Sequence, residues 1–278
     1  MMYYWVFRWF PKSAFSRLMG WKASLRRPRF LLRALIRVYV AIFRIDMGQF
    51  ETPEHGFATF NEFFTRPLRP GVRPIAKGAE EVASPVDGRV SISGPIEAGR
   101  LIQAKGKDYT VEELLGGDPA WKEYDGGCFV TIYLSPRDYH RIHTPLACKV
   151  IRFAYLPGEL WTVSPAGVRG VPRLFSRNER VVSFLDTAWG EVALVAVGAT
   201  IVGSVKVVYH PVTTNRPGAL PLRETLAKPH ALGKGEELGR FELGSTVILL
   251  FRPGQVNLED LLPDQSLVLG QVIARRSK

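Results

Sequence analysis

Cysteine is nearly absent from this 278-residue chain. Cys128 and Cys148 cannot build a disulfide framework and match no zinc-binding spacing, so both read as buried thiols. Low-complexity tracts and internal repeats are missing. With 46% hydrophobic residues the chain can bury a core, which excludes disorder as its dominant state. Long apolar runs are missing too. The longest charge-free stretch, Val192–Val205, has 14 residues with two glycines inside, short of the roughly 20 that a membrane-spanning helix needs. No G-x-S-x-G element is present, which disfavours an α/β-hydrolase.

Acidic residues are absent from positions 1–45, where ten of the 37 basic residues lie. The remainder carries 27 basic against 26 acidic residues. A nearly neutral body argues against nucleic acid as a partner and for a basic arm with a partner of its own. That arm is also aromatic (Trp5, Trp9, Phe10, Trp21 and Phe30 among others), the composition of a segment held at the lipid headgroup level. At 100° per residue, Arg37 and Arg44 fall about 40° and about 20° from Arg33, on one stripe. The spacing predicts a helix across Phe30–Ile45 that binds an anionic membrane surface. Its arginines would reach phosphates while Leu31, Leu32, Leu35, Ile36, Val38, Val40, Ile42 and Phe43 face lipid. A shorter helix near Ser13–Met19, closed by Gly20, is predicted before it. The plainer alternative packs the long helix on the body. A secretory signal is disfavoured, because the chain opens on apolar residues and shows no small-residue cleavage site.

From about Val82 onward the sequence turns to short β-branched runs separated by Gly and Pro. Phe129–Leu134, Glu191–Val197, Thr200–Val208 and Ser245–Phe251 read as strands. Helical pattern there is limited to Phe60–Phe64, Thr110–Leu115 and Leu258–Leu262. The expected fold is α+β: a mostly β-sheet domain at 51–278, the candidate for any chemistry, with an N-terminal helical module at 1–50.

Four stretches carry residue types that packing alone does not require. Ser84-Pro85-Val86-Asp87-Gly88 sets a carboxylate at the start of a strand. Tyr139-His140-Arg141-Ile142-His143 holds two of the five histidines, with no accompanying Glu or third ligand for a metal. Phe175–Arg180 taken alone reads as a solvated turn. Leu243-Gly244-Ser245-Thr246 opens an apolar strand. Together Asp87, His143 and Ser245 supply an orienter, a base and a nucleophile. Gly244 stands directly before Ser245, so this serine is placed to attack its own preceding carbonyl. Glycine there removes the Cβ that would crowd the attack.

These stretches, together with Phe60–Ile75 (FNEFFTRPLRPGVRPI), Gln103–Gly106 and Val197–Val205, closely resemble bacterial phosphatidylserine decarboxylases of the short, membrane-associated type. The resemblance implies self-cleavage between Gly244 and Ser245 into a large chain, 1–244, and a small chain, 245–278. Asp87 would orient His143, and His143 would remove the Ser245 hydroxyl proton. Attack on the Gly244 carbonyl, β-elimination, and hydrolysis of the resulting dehydroalanine with release of ammonia would turn Ser245 into a pyruvoyl group, the cofactor, with no metal involved. That carbonyl would then bind the amine of phosphatidylserine and accept electrons as carbon dioxide leaves, giving phosphatidylethanolamine. His140 would donate a proton or orient the substrate. The two chains would stay associated, a homodimer of that pair being possible, on the cytoplasmic face of the cell membrane. Two other readings remain open from the residues: a membrane-tethered β-rich carrier module, and a serine hydrolase using the same triad on exogenous esters.

Overall fold

A computed structural model describes residues 9–26, 28–104, 106–200, 204–242 and 245–278. The chain is α+β and strand-rich, with 37% strand and 21% helix. Its centre is an eight-stranded antiparallel sheet. Across it run β11 (Leu222–Leu232), β7 (Cys148–Leu156), β8 (Arg180–Thr187), β9 (Gly190–Val197), β13 (Ser245–Phe251), β5 (Cys128–Leu134), β2 (Gly88–Pro95) and β15 (Ser266–Leu267). Beside it lie a sheet of β10 (Ser204–Val207), β12 (Glu237–Glu242) and β6 (Arg141–His143), and another of β1 (Glu81–Ala83), β16 (Val272–Arg276) and β14 (Val256–Leu258). β3 (Arg100–Ala104) and β4 (Lys107–Thr110) form a hairpin.

Both faces of the large sheet are buried. Val247, Leu249 and Phe251 of β13 join one apolar cluster, and Ile248 and Leu250 join the other. Burial on two sides explains why Glu191–Val197 and Ser245–Phe251 read as continuous apolar runs rather than alternating ones. Both predicted strands form, as Gly190–Val197 and Ser245–Phe251. Of Thr200–Val208, Ser204–Val207 is strand, and 201–203 lie outside the described residues. Helices were expected and occur at α3 (Phe60–Phe64) and α4 (Val111–Leu114), the latter started by a Thr110–Glu113 capping box. Leu258–Leu262 is not helical. Its first residue closes β14, paired with Ala274, and Pro263 bars a helix from running on. Two short helices, α5 (Pro165–Gly170) and α6 (Leu174–Arg177), carried too little periodicity to be read in advance.

The N-terminal helices differ from expectation in instructive ways. α1 spans Lys12–Ser24 and runs straight through Gly20. Glycine inside a helix costs about 1 kcal/mol, and here Ala23, packed against Phe64, lies beyond it on the docked side. α2 spans Arg29–Phe43 and stops where Arg44 turns left-handed at φ 53°. Its apolar surface divides in two. Leu32 is buried, and Ile36, Tyr39, Val40 and Phe43 pack toward Phe50, Phe60 and Phe63 of the body. Phe30, Leu31, Leu35, Val38 and Ile42 stay exposed, Phe30 and Ile42 by 71% and 67%. Arg33 and Arg37 lie on a third face, while Arg44 has left the helix. Arg33 donates from Nη2 to the His55 carbonyl at 3.4 Å. The helix therefore packs on the body and presents a separate apolar stripe outward. No described helix is long and apolar enough to cross a membrane.

Candidate functional site

β12 ends at Glu242 and β13 begins at Ser245, so the chain passes between them from the small sheet into the middle of the large one. Leu243 and Gly244 lie outside the described residues, and Ser245 is placed by its backbone. Ser245 pairs with Leu134 of β5, and Thr246 pairs with Val197 of β9. One strand further on, Arg89 of β2 pairs with Tyr133, which brings the Asp87-Gly88 turn to the end of β5. Gly88 is required there, since a Cβ would stand 2.5 Å from the Tyr133 carbonyl oxygen.

His143 is tied to the same turn, because its N–H donates to the Pro85 carbonyl at 2.8 Å. Its ring is held at both ends. Nδ1 lies 2.8 Å from the Gly235 carbonyl oxygen, which can only accept, so Nδ1 carries the proton. Nε2 keeps its lone pair and accepts from the Tyr139 hydroxyl at 3.0 Å. Gly235 reaches this position with φ +81°, and a Cβ on it would press into Ile75. Burial lowers the pKa of His143, opposed by the Gly235 bond and by the charges of Glu237 and Asp87. The imidazole is a neutral base of fixed tautomer.

Asp87 is buried and fully engaged elsewhere. Oδ1 accepts from Arg73 Nε at 3.0 Å and from the Leu269 N–H at 2.7 Å, and Oδ2 accepts from Arg73 Nη2 at 2.7 Å. Arg73 Nη2 also donates to Gln49 Oε1 at 2.8 Å. Asp87 and His143 consequently share no hydrogen bond, and the direct pair expected from the sequence is not formed. The arginine fork matches a carboxylate bidentately, while a fixed backbone carbonyl meets the imidazole. In this arrangement Asp87 meets His143 as a nearby negative charge and through their shared turn rather than as a hydrogen-bond partner.

His140 is fully buried. Nδ1 lies 2.7 Å from the Asp138 carbonyl oxygen, and the ring packs 4.2 Å from that of Phe64. Nε2 is buried without a partner among the described residues. Burial, which outweighs the Asp138 bond, drives its pKa down to about 3, so the ring is neutral with an open lone pair. Its own carbonyl accepts from the Phe241 N–H at 2.9 Å, three positions before Gly244. His140 thus stands against the segment that leads into the Gly244-Ser245 step.

The Phe175–Arg180 stretch is not a solvated turn. Asn178, Glu179 and Arg180 are all buried. Asn178 Nδ2 donates to the carbonyls of Trp161 and Gly198, both at 2.8 Å, and Arg180 donates to those of Leu114, Glu113, Ser176 and Asn178. Trp161, Gly198, Leu114 and Glu113 come from distant points of the chain, so nothing local announced them. Sequence reasoning also missed Arg73, Tyr139 and Gly235 as the groups that hold Asp87 and His143. Arg73 and Tyr139 lay inside stretches already singled out, and Gly235 gave no signal. Among the described residues no three His, Cys, Asp or Glu side chains are grouped to hold a metal ion. Burial pushes the thiols of Cys128 and Cys148 up to about 11 and about 12, which makes both poor nucleophiles.

A family model described as phosphatidylserine decarboxylase matches residues 60–275. The chain is 50% identical over 258 residues to the phosphatidylserine decarboxylase proenzyme of Anaeromyxobacter sp. (strain K), covering 92% of this chain and 91% of that one. It is 48% identical over 260 residues to that of Myxococcus xanthus (strain DK1622), covering 93% and 92%, and 46% identical over 269 residues to that of Brevibacillus brevis, covering 96% and 95%.

Proposed function

Because this chain belongs to the phosphatidylserine decarboxylase family, we propose that it converts phosphatidylserine to phosphatidylethanolamine after cutting itself between Gly244 and Ser245. The observation that carries the reading is the position of that step. It joins two sheets; the turn that holds the backbone of His143 lies at the end of the neighbouring strand β5, and His140 is bonded to Phe241 of the segment leading into the step.

Self-cleavage needs a group that takes the Ser245 hydroxyl proton and a chain that tolerates the break. His143 fits the first need, since the Gly235 carbonyl fixes the tautomer whose Nε2 is basic. Tyr139, now on Nε2, must yield or pass the proton on. The sheet meets the second need. β13 stays clamped between β5 and β9, β15 on β2, and β16 between β1 and β14, whichever way the 243–245 link is cut. The fragments 1–244 and 245–278 therefore remain one body.

The strand behind Ser245 is anchored on both sides, which fits a pyruvoyl group at the new end of the small chain, and Nε2 of His140, without a partner among the described residues, is an acceptor for a donor on the substrate. Such a group supplies a carbonyl that binds the substrate amine and accepts the electrons released with carbon dioxide. His140, neutral at rest, would accept a hydrogen bond from the substrate and hand on a proton only after taking one up.

Residues 1–50 would serve as the membrane module and 51–278 as the catalytic one, on the cytoplasmic face of the cell membrane. The exposed Phe30–Ile42 stripe flanked by Arg33 and Arg37 supports this, as a diacyl lipid leaves a bilayer only at about 0.8 kcal/mol per CH₂. The test is incubation of the purified protein with phosphatidylserine vesicles. Phosphatidylethanolamine should accumulate with the wild type and not with Ser245→Ala; product from an uncut chain would refute the reading.

A further inference from the structure

Glu179 has no part in the chemistry above, yet it is only 5% exposed. Its Oε1 accepts two short hydrogen bonds, from the Tyr155 hydroxyl at 2.5 Å and from the Asn215 N–H at 2.6 Å. No hydrogen bond among the described residues reaches Oε2. One oxygen of this largely buried carboxylate is bound twice, while the other is not among the sealed-off polar atoms and stays reachable for a donor from outside. Burial accordingly raises its pKa, against the pull of Tyr155, Asn215 and the charge of Arg17 on α1.

Its place in the sheet gives the vacant oxygen a meaning. The Gly198 N–H donates to the Glu179 carbonyl at 2.8 Å, Arg180 pairs with Val197, and Val197 pairs with Thr246. Glu179, Gly198 and Ser245 are therefore neighbours in one row over three strands. At about 4.8 Å per strand, the outer two backbones stand about 10 Å apart. Gly198 brings no side chain into that row; a Cβ on it would crowd Leu160 at 3.2 Å and the Glu179 carbonyl oxygen at 3.3 Å. Tyr155, which holds the carboxylate, shares the apolar cluster of Val247 and Leu249. Asp87 and His143 lie on the far side of Ser245, beyond Leu134.

Resting on the decarboxylase reading, we propose that Glu179 receives the ammonium group of the amino-phospholipid headgroup on Oε2 and takes a proton from it. One N–H bond breaks and one O–H bond forms. The electron pair left on nitrogen is the pair that bonds to carbon at residue 245, and the net charge of the two groups stays zero. A raised carboxyl pKa narrows the gap that this proton must cross. Tyr155 and Asn215 hold the acceptor before substrate arrives, so little ordering is left to be done on binding. Glutamate at this place thus favours headgroups with a free primary ammonium over those whose nitrogen is acylated.

The test uses mature protein whose carbonyl has been reduced with borohydride, so that binding is read without turnover. The probes are short-chain phosphatidylserine and its N-acetyl derivative. Glu179→Gln should cut itself as the wild type does and bind the N-acetyl lipid equally well. It should bind phosphatidylserine more weakly by on the order of tenfold or more, the usual effect of losing a charge-assisted hydrogen bond. Equal affinity of the Gln and wild-type proteins for phosphatidylserine would overturn the assignment. So would the same loss for both lipids, which makes Glu179 a structural prop, or an uncut Glu179→Gln chain beside a cut wild type, which places it in maturation. If the Gln variant does not fold, Tyr155→Phe carries the test: freeing the carboxylate must weaken phosphatidylserine binding more than N-acetyl lipid binding, and no difference refutes the proposal. A wild type that never cuts itself instead refutes the decarboxylase reading beneath it.

Discussion

Asp87 gives both oxygens to Arg73 and Leu269, so its usefulness to His143 depends on how firmly the arginine fork holds it. Breaking a buried, hydrogen-bonded ion pair from one side costs about 3–5 kcal/mol. Arg73→Gln should therefore lower the denaturant midpoint and slow release of the 245–278 fragment. Arg73→Lys should recover little of either, because an ammonium cannot reproduce the fork. A time course on denaturing gels checks this, and wild-type kinetics in Arg73→Gln would remove Arg73 from the account. His143 allows a second prediction. A pKa lowered by burial keeps the neutral, basic form present below the ordinary histidine value of 6.5. Self-cleavage should thus hold its rate as pH falls through 6.5 and decline only further down; an inflection at or above 6.5 would contradict the burial argument. If the open Nε2 of His140 serves decarboxylation as proposed, His140→Ala should still mature, at least in part, yet decarboxylate poorly. Failure of that variant to cut would join the two histidines in one role.

At the scale of elements, α2 separates three tasks that its sequence had merged. The stripe of arginines was legible from spacing, and so was the abundance of apolar residues around it. Which of those residues face the body was not, because the choice is made by Phe50, Phe60 and Phe63, which lie outside the helix. The same holds for Asn178 and Arg180, whose polarity suggested solvent while distant carbonyls awaited them. Strands β9 and β13 were readable because burial on both faces leaves a continuous apolar text. For the membrane, each arginine near an anionic surface contributes about 1 kcal/mol. Replacing Arg33, Arg37 and Arg44 should weaken binding by up to roughly 3 kcal/mol, and salt should mimic part of that loss. Leu31→Glu with Ile42→Glu should weaken binding to neutral vesicles as well. Co-sedimentation with vesicles of both kinds reads the two contributions, and unchanged binding by both variants would move membrane contact to another surface.

In the molecule as a whole, the proposed break lies where two sheets meet, in a chain whose last 34 residues pair with four strands of the rest, β1, β2, β5 and β9. The two fragments should elute as one particle under native conditions and separate only when unfolded. The most direct measurement is the intact mass of the purified protein after denaturation. Two fragments are predicted, 1–244 and 245–278, with the smaller resistant to N-terminal sequencing and lighter by one ammonia than a fragment that begins with serine. A single uncut chain, or a small fragment bearing a free amino-terminal Ser245, would contradict it.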